Sequence, residues 1–396
     1  MKITILGPYP LDEGLWSAEG IGENVRLGGV EVAIAYVQRE LLKRSDVSLH
    51  ILTCNPSLTE PKVVGPLAGG RLTLTYLPRA GLGRVTWHHR EVGALRRALE
   101  AAAPDVVHAH SAGLYAGAAL ASPFPAVVTV HGIATQEARL AEGWGPRMRG
   151  LLDGAYERWV MRRTPHLMLI TPYVEQVFAG IFRGASYLVE NACEERFFAV
   201  PRRPEAGRLF FAGPVIPRKG VLPLLQALQA VHKQAPEAHL RIAGSLASDP
   251  AYVAACRSFV AQAGLEDAVS FLGHVSQEQM LEEYSRCVAF VLPSFQETAP
   301  MVIEQAMAAG APSVATCAGG VPWMIEEGVT GLTLPLPADR RGDPDALAAA
   351  LLRLLRDPAA AEEMGRRAHA VARERFWPAA VAQRTLEVYE QVVAAS

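Results

Sequence analysis

The sequence predicts an α/β protein made of two doubly wound domains of comparable size, facing each other across a cleft. Three observations predict it. Short β-rich apolar runs alternate with longer stretches of helical period, which implies βαβ crossovers and parallel sheets. The alternation breaks once, at "VPRRPEAGR" (200–208), and then restarts. The chain has 396 residues, half of them hydrophobic and a fifth charged, which is more than one ordinary core holds.

In the first half the strand candidates are "ITIL" (3–6), "SLHIL" (48–52), "LTLTYL" (72–77), "DVVHAH" (105–110), "AVVTV" (126–130), "LMLI" (167–170) and "SYLV" (186–189). The clearest helix runs from about Val30 to Lys43, where Val30, Ala33, Ile34, Val37 and Leu41 form one apolar stripe. The segment 200–208, with its arginines, prolines and glycine, reads as a surface linker. Beyond it the strands are "LFFA" (209–212), "HLRIAG" (239–244), "VSFL" (269–272), "AFVL" before Pro293, and "PSVAT" (312–316). Helices are predicted near 221–234, 250–263, 276–286 and 300–309, and two more near 344–356 and 359–373 after a last short strand. The expected domains are 1–203 and 208–375. In such sheets ligands bind at the carboxyl ends of the strands, so the cleft between the domains is the expected site.

Composition narrows the function classes. A formal net charge of -2 gives no global reason to bind nucleic acid. The five cysteines are scattered without a CxxC pair and read as buried hydrophobes in a reducing compartment. "MKITILGPYP" is a lysine followed by a strand, too short for a secretory core, and no run of about 18 apolar residues is present. Cytoplasmic residence is expected. Without GxGxxG and its downstream acid, GxxxxGK[ST], HExxH or GxSxG, the dehydrogenase, P-loop, zincin and α/β-hydrolase classes are disfavoured.

Several motifs sit where this architecture does chemistry. Gly28 and Gly29 precede a helix, where backbone amides can meet a phosphate, although a glycine pair alone reads first as a flexible turn at a helix start. "PRKG" (217–220) places Arg218 and Lys219 at a strand's carboxyl end beside a helix start, a setting suited to a diphosphate. In "PSFQETAPMVIEQAMAAG" (293–310) Glu297 lies just before a helix opened by Pro300, with the amides of Met301 and Val302 left for an anion. Glu304 and Gln305 fall on opposite flanks of that helix's buried stripe, and periodicity does not choose between them. His108 and His110 end one strand and are expected to face opposite sides of the sheet; His131 ends another. "DPD" (343–345) precedes a helical run and reads as an N-cap rather than a metal site. Two stretches, 86–100 and 144–163, mix Arg, Trp and Leu, as a membrane-facing or an ordinary surface helix does.

In this order the motifs resemble retaining glycosyltransferase family 4 (glycosyl transferases group 1), of GT-B fold. The resemblance runs through "DVVHAH", "VTVHG", "ITPYV", "VENACEERF", "GPVIPRKG", "FLGHV", "PSFQETAPMVIEQAMAAG", "GGVP" and "EEGVTGLTLP" to "ERFWPAAVAQRTLEVYE". It implies two Rossmann-like domains, with a closing helix at about 376–396 packed back on the first. It also implies transfer of a sugar, a hexose, from a nucleoside-diphosphate sugar with retention and without a bound metal or other cofactor. Lys219, supported by Arg218, would neutralise the diphosphate with the amides at Met301 and Val302 and the Gly28–Gly29 loop. Glu297 would hydrogen-bond the donor sugar and steady positive charge at the anomeric carbon. His131 would lie near the reaction centre, and the backbone near Val275 would take the base. Gln305 stands at the family's ribose-binding glutamate and can still pair with a diol.

Two further departures stand out. Pro214 occupies the place of an arginine that the family often carries, and Trp323 stands where many members have glutamate. The expected partners are a nucleotide-sugar donor and a carbohydrate, lipid-linked or small-molecule acceptor, with contact to the inner face of a membrane and none to nucleic acid. A nucleotide-sugar epimerase or hydrolase of similar fold, and a non-catalytic sugar-nucleotide binder, are the alternative readings.

Overall fold

The computed structural model describes residues 1–11, 16–17, 20–21, 29–79, 83–140, 143–337 and 342–396. They form two compact units, Met1–Ala192 with Pro378–Ser396, and Cys193–Trp377.

The first unit contains β1 (Lys2–Leu6), a small hairpin of β2 (Trp16–Ser17) and β3 (Gly20–Ile21), then β4 (Ser48–Asn55), β5 (Lys62–Leu67), β6 (Leu72–Pro78), β7 (Val106–His110), β8 (Ala126–Thr129), β9 (His166–Leu169) and β10 (Ala185–Leu188). Its main sheet has the order β10-β9-β8-β7-β1-β4-β6-β5. Only β5 runs antiparallel, at the edge. It contains Gly65-Pro66, a pair that cannot serve a central ladder. β7 is buried along its whole length, as a parallel strand covered on both faces should be. The chain's final helix, Pro378–Ala394, belongs to this unit and buries Val381, Thr385, Leu386 and Tyr389.

The second unit holds β11 (Arg208–Ala212), β12 (His239–Ala243), β13 (Val269–Gly273), β14 (Ala289–Leu292), β15 (Ser313–Thr316) and β16 (Gly331–Leu334). All pair in parallel, in the order β13-β12-β11-β14-β15-β16. Counted from β11 this is the doubly wound order 3-2-1-4-5-6, whose reversal lies between β11 and β14. Three of its helices start at Asp-Pro. Asp249, Asp343 and Asp357 each accept the amide three residues on, at 3.0, 2.9 and 3.0 Å, while the proline fills the first helical position. "DPD" is thus a cap.

Two expectations about the junction change. Residues 193–203 belong to the second unit, because Phe197 and Phe198 pack in its core. The segment 200–208 is also no loose linker. The Arg202 guanidinium donates to the carbonyls of Tyr284, Ser285 and Cys287, and the amides of Arg203 and Glu205 bond Ser285 and Arg286. Arg208 is buried, with Nη2 2.8 Å from Glu283 Oε2, while Arg241 holds Oε1 at 2.7 Å. Arginines that look solvated in the sequence find buried acceptors on the helix Gln277–Arg286. Glu283→Ala leaves the Arg208 charge buried and half-paired, and an expected loss of about 3–5 kcal/mol would appear as a lower urea midpoint of the second unit.

Candidate functional site

In the second unit the site grows from the two strands that flank the reversal of strand order. After β11 the chain passes Gly213 and Pro214 and makes a tight turn over Pro217–Lys219 before the helix Val221–His232. Gly220 joins the turn to the helix at φ +69°, and a Cβ there would lie 2.1 Å from the carbonyl oxygen of Pro293. Only glycine lets this turn lie flat against the residue that follows β14. That contact sets Lys219 beside Glu297: Nζ and Oε1 are 2.5 Å apart and both side chains are largely buried. Such a charge-assisted bond is short and strong. The backbone around it is tied as well. Arg218 Nη1 donates to the Gln296 carbonyl at 2.9 Å, the Phe295 amide to the Arg218 carbonyl at 2.8 Å, and the Gly320 amide to the Glu297 carbonyl at 3.1 Å. The glycine pair of "GGVP" therefore ties the loop that carries Glu297 from the next strand's side.

The helix Met301–Ala308 starts directly after this loop. Its first bond runs from the Ile303 amide to the Pro300 carbonyl at 2.9 Å, so the amides of Met301 and Val302 precede the helical ladder. Glu304 and Gln305 are both buried, 1% and 9% exposed, and they point to different neighbours. Glu304 lies near Cys193, whose thiol is pushed up first by burial and then by the Glu304 charge. Gln305 Oε1 is 3.4 Å from the Tyr284 hydroxyl, which makes its shorter bond, 2.9 Å, to the Val302 carbonyl. Val275 is half-buried beyond the end of β13, just before the capping box of Ser276 and Gln279. Pro214 is half-buried in the turn after β11, and the Trp323 carbonyl accepts from Arg375 at 2.8 Å.

In the first unit His108, His110 and His131 meet at the carboxyl ends of β7 and β8. His110 Nδ1 is 2.9 Å from His131 Nε2, while His108 bonds Tyr389 and Thr129, each at 2.7 Å. The expectation that His108 and His110 face opposite sides fails. They are two residues apart, one full pleat period, and their rings are 4.0 Å apart on one face. With Gln38, Thr129 and Tyr389 the three imidazoles line a cavity of about 40 Å³. Burial pushes His108 down to about 3, His110 well below its usual value and the half-buried His131 to about 4, so all three are neutral at pH 7. The loop after His131 is held by Glu157, which accepts the Ala134 amide at 2.9 Å and the Thr135 amide at 3.4 Å. Burial lifts the Glu157 carboxyl to about 7 against these bonds.

These shifts set a pH dependence. Below about 6.5 the unfolded chain protonates three imidazoles that the fold keeps neutral, so stability falls from there towards pH 3–4. Glu157 has the opposite sign: its contribution is held at low pH and lost as pH rises through about 7. Three groups outweigh one. The urea midpoint of the first unit should drop between pH 6.5 and 4, and His108→Asn should flatten that slope. An unchanged slope in the variant would contradict the assignment.

Of the residues singled out by sequence, Arg218, Lys219, Glu297, Met301, Val302, Gln305 and Val275 lie in the second unit, and His131 in the first. Gly29 opens the helix Gly29–Leu42, and Gly28 lies outside the described residues. Gly220, Gln296 and Glu157 are additions. Gly220 had a signal, its place between a basic pair and a helix; the other two act through contacts made by the fold. Among the described residues no group of three or more His, Cys, Asp or Glu side chains is placed to hold a metal ion.

Two doubly wound units, the second carrying a buried cation–carboxylate pair where its strand order reverses, define a GT-B glycosyltransferase. Solved structures agree on the fold. Sucrose-phosphate synthase from Thermosynechococcus elongatus superposes with a TM-score of 0.77 at 21% identity, covering 100% of both chains. Anabaena Alr3699/HepE, solved with UDP-glucose, gives 0.72 at 18% identity, covering 99% of this chain and 100% of that one. In sequence, the glycogen synthase of Mycobacterium tuberculosis (strain CDC 1551 / Oshkosh) is 30% identical over 296 residues, 72% of this chain and 68% of that protein. The D-inositol 3-phosphate glycosyltransferase of Streptomyces avermitilis is 32% identical over 184 residues, 45% of this chain and 38% of its own length. The family models "Glycosyltransferase Family 4" and "Glycosyl transferases group 1" match residues 27–191 and 206–357. The chain belongs to glycosyltransferase family 4.

Proposed function

We propose that this enzyme transfers a hexose from a nucleoside-diphosphate sugar to a carbohydrate, lipid-linked or small-molecule acceptor, with retention and without a bound metal. The observation that carries the reading is the buried Lys219–Glu297 pair at the reversal of strand order. The departing diphosphate needs positive partners where its charge develops. Lys219 is one, Arg218 supports it, and the amides of Met301 and Val302 and those at the glycine pair Gly28 and Gly29 are proposed to add dipoles. Glu297 faces the sugar, accepts its hydroxyls and offsets the positive charge at the anomeric carbon. Gln305 and the backbone at Val275 serve the ribose and the base. His131, neutral at pH 7, is proposed to offer a ring nitrogen to a sugar hydroxyl.

A thermal-shift series with UDP, GDP, ADP and dTDP and their sugars names the donor, because binding to the folded state alone raises Tm. Proton NMR of the product then reads the anomeric configuration. The expected outcome is the donor's own configuration, formed at full rate in excess EDTA. An inverted product, or activity lost to EDTA and restored by magnesium, would overturn that part of the reading. We place the enzyme in the cytoplasm at the inner face of a membrane; none of the described helices is long and apolar enough to cross one.

A further inference from the structure

We propose that the first unit docks on an anionic lipid bilayer through the outward face of the helix Trp144–Met161 and the adjoining segment 83–88. This deepens the membrane location given above, and its test is separate from sugar transfer.

The helix buries Gly154, Tyr156, Glu157, Val160 and Met161 on one side. On the other side Trp144, Met148, Leu151 and Leu152 fall at i, i+4, i+7 and i+8, the spacing of an apolar stripe that a globular helix normally turns inward. Here the stripe faces outward, with Trp144 80% and Leu151 64% exposed. The segment 83–88 widens it. Arg84 is held to Asp153 at 2.9 Å, and the Trp87 ring sits edge-on to Tyr156 and Trp159 at 5.4 and 5.7 Å. This brings exposed Val85 and Trp87 alongside the helix. Six of the nine large hydrophobic side chains that are exposed among the described residues belong to this one helix-and-segment face, which makes it a patch and not scatter.

The charge around the patch selects the occupant. Arg147, Arg149, Arg158, Arg162 and Arg163 are exposed along the same helix and its end. Its two acids are engaged, Asp153 with Arg84, and Glu157 buried against Ala134 and Thr135. Along this helix the exposed charge is cationic, on a chain whose net charge is -2. A second copy would set this arginine rim against itself, which like charges disfavour. An anionic bilayer takes the apolar stripe into its interface, accepts the arginines at its headgroups and seats tryptophan at the boundary.

The test is flotation of the full chain with phosphatidylcholine vesicles and with vesicles that also contain phosphatidylglycerol. The expected result is binding to the second kind alone, weakened by salt. Trp144→Ser with Leu151→Ser, and separately Arg147→Glu with Arg149→Glu, should each lower the bound fraction about tenfold or more. All four positions are exposed, so the melting temperature should hold. Absence of flotation with either vesicle, or flotation unaffected by both variants, overturns the proposal. So does a wild-type dimer in light scattering that the serine variant turns into a monomer, which would assign the face to a second copy.

Discussion

Glu297→Gln is expected to lower kcat by about 10²–10³-fold while nucleoside-diphosphate binding holds or tightens. On the proposed reading Glu297 and the diphosphate use the same ammonium, so the two effects separate. In the structure Lys219 Nζ is committed to Glu297 Oε1 at 2.5 Å. A phosphate oxygen must share that ammonium or draw it away. Glutamine keeps the shape but gives up the charge, so it releases Lys219 to the phosphate and offers the developing cation at the anomeric carbon only a dipole. Steady-state kinetics with calorimetric titration of the diphosphate reads both. Full turnover in the variant would remove Glu297 from the mechanism. Weaker diphosphate binding at unchanged turnover would make it a mere support for Lys219.

The pairing behind this prediction was the least legible part of the site. Lys219 and Glu297 are 78 positions apart, and each had only a local signal, a basic pair at a strand end and an acid before a helix. What joins them is the order β12-β11-β14, which brings the two crossovers out on neighbouring strands, and Gly220, which lets the first turn touch Pro293. The strands themselves were easy to read. Strands such as β7, β11 and β14, buried on both faces, leave continuous apolar runs, and Asp-Pro marks three helix starts. β5 was missed for the opposite reason: an edge strand holding Gly65-Pro66 has no such run.

Misreadings elsewhere have physical causes too. Arg202 and Arg208 look solvated in a linear sequence, because their acceptors lie on or just after a helix some 80 residues away. The His108–His110 pair required counting the pleat correctly; two residues return a strand to the same face. Glu304 and Gln305 could not be ranked by periodicity, since both are buried. Their neighbours tell them apart, Cys193 for one and Tyr284 for the other, and both neighbours come from distant segments of the second unit.

Lys219→Met should weaken the diphosphate by about 10–100-fold, in line with the roughly 1.5–3 kcal/mol of a hydrogen bond to a charged group. It should also destabilise the second unit in the absence of nucleotide. Methionine fills most of the lysine's volume beside Gly213, whose Cβ position lies 3.7 Å from the Lys219 stem, so packing changes little. What changes is that the Glu297 carboxylate, buried beside it, loses its cation. Removing one member of a buried pair costs about 3–5 kcal/mol. Lys219→Met with Glu297→Gln removes both charges and should be more stable than Lys219→Met alone, although it has lost two native groups. Urea melts of the two single variants, the double variant and the parent give the coupling directly. Costs that simply add would mean that the pair does not act as a unit, and the 2.5 Å contact would then say little about how the site holds its charge.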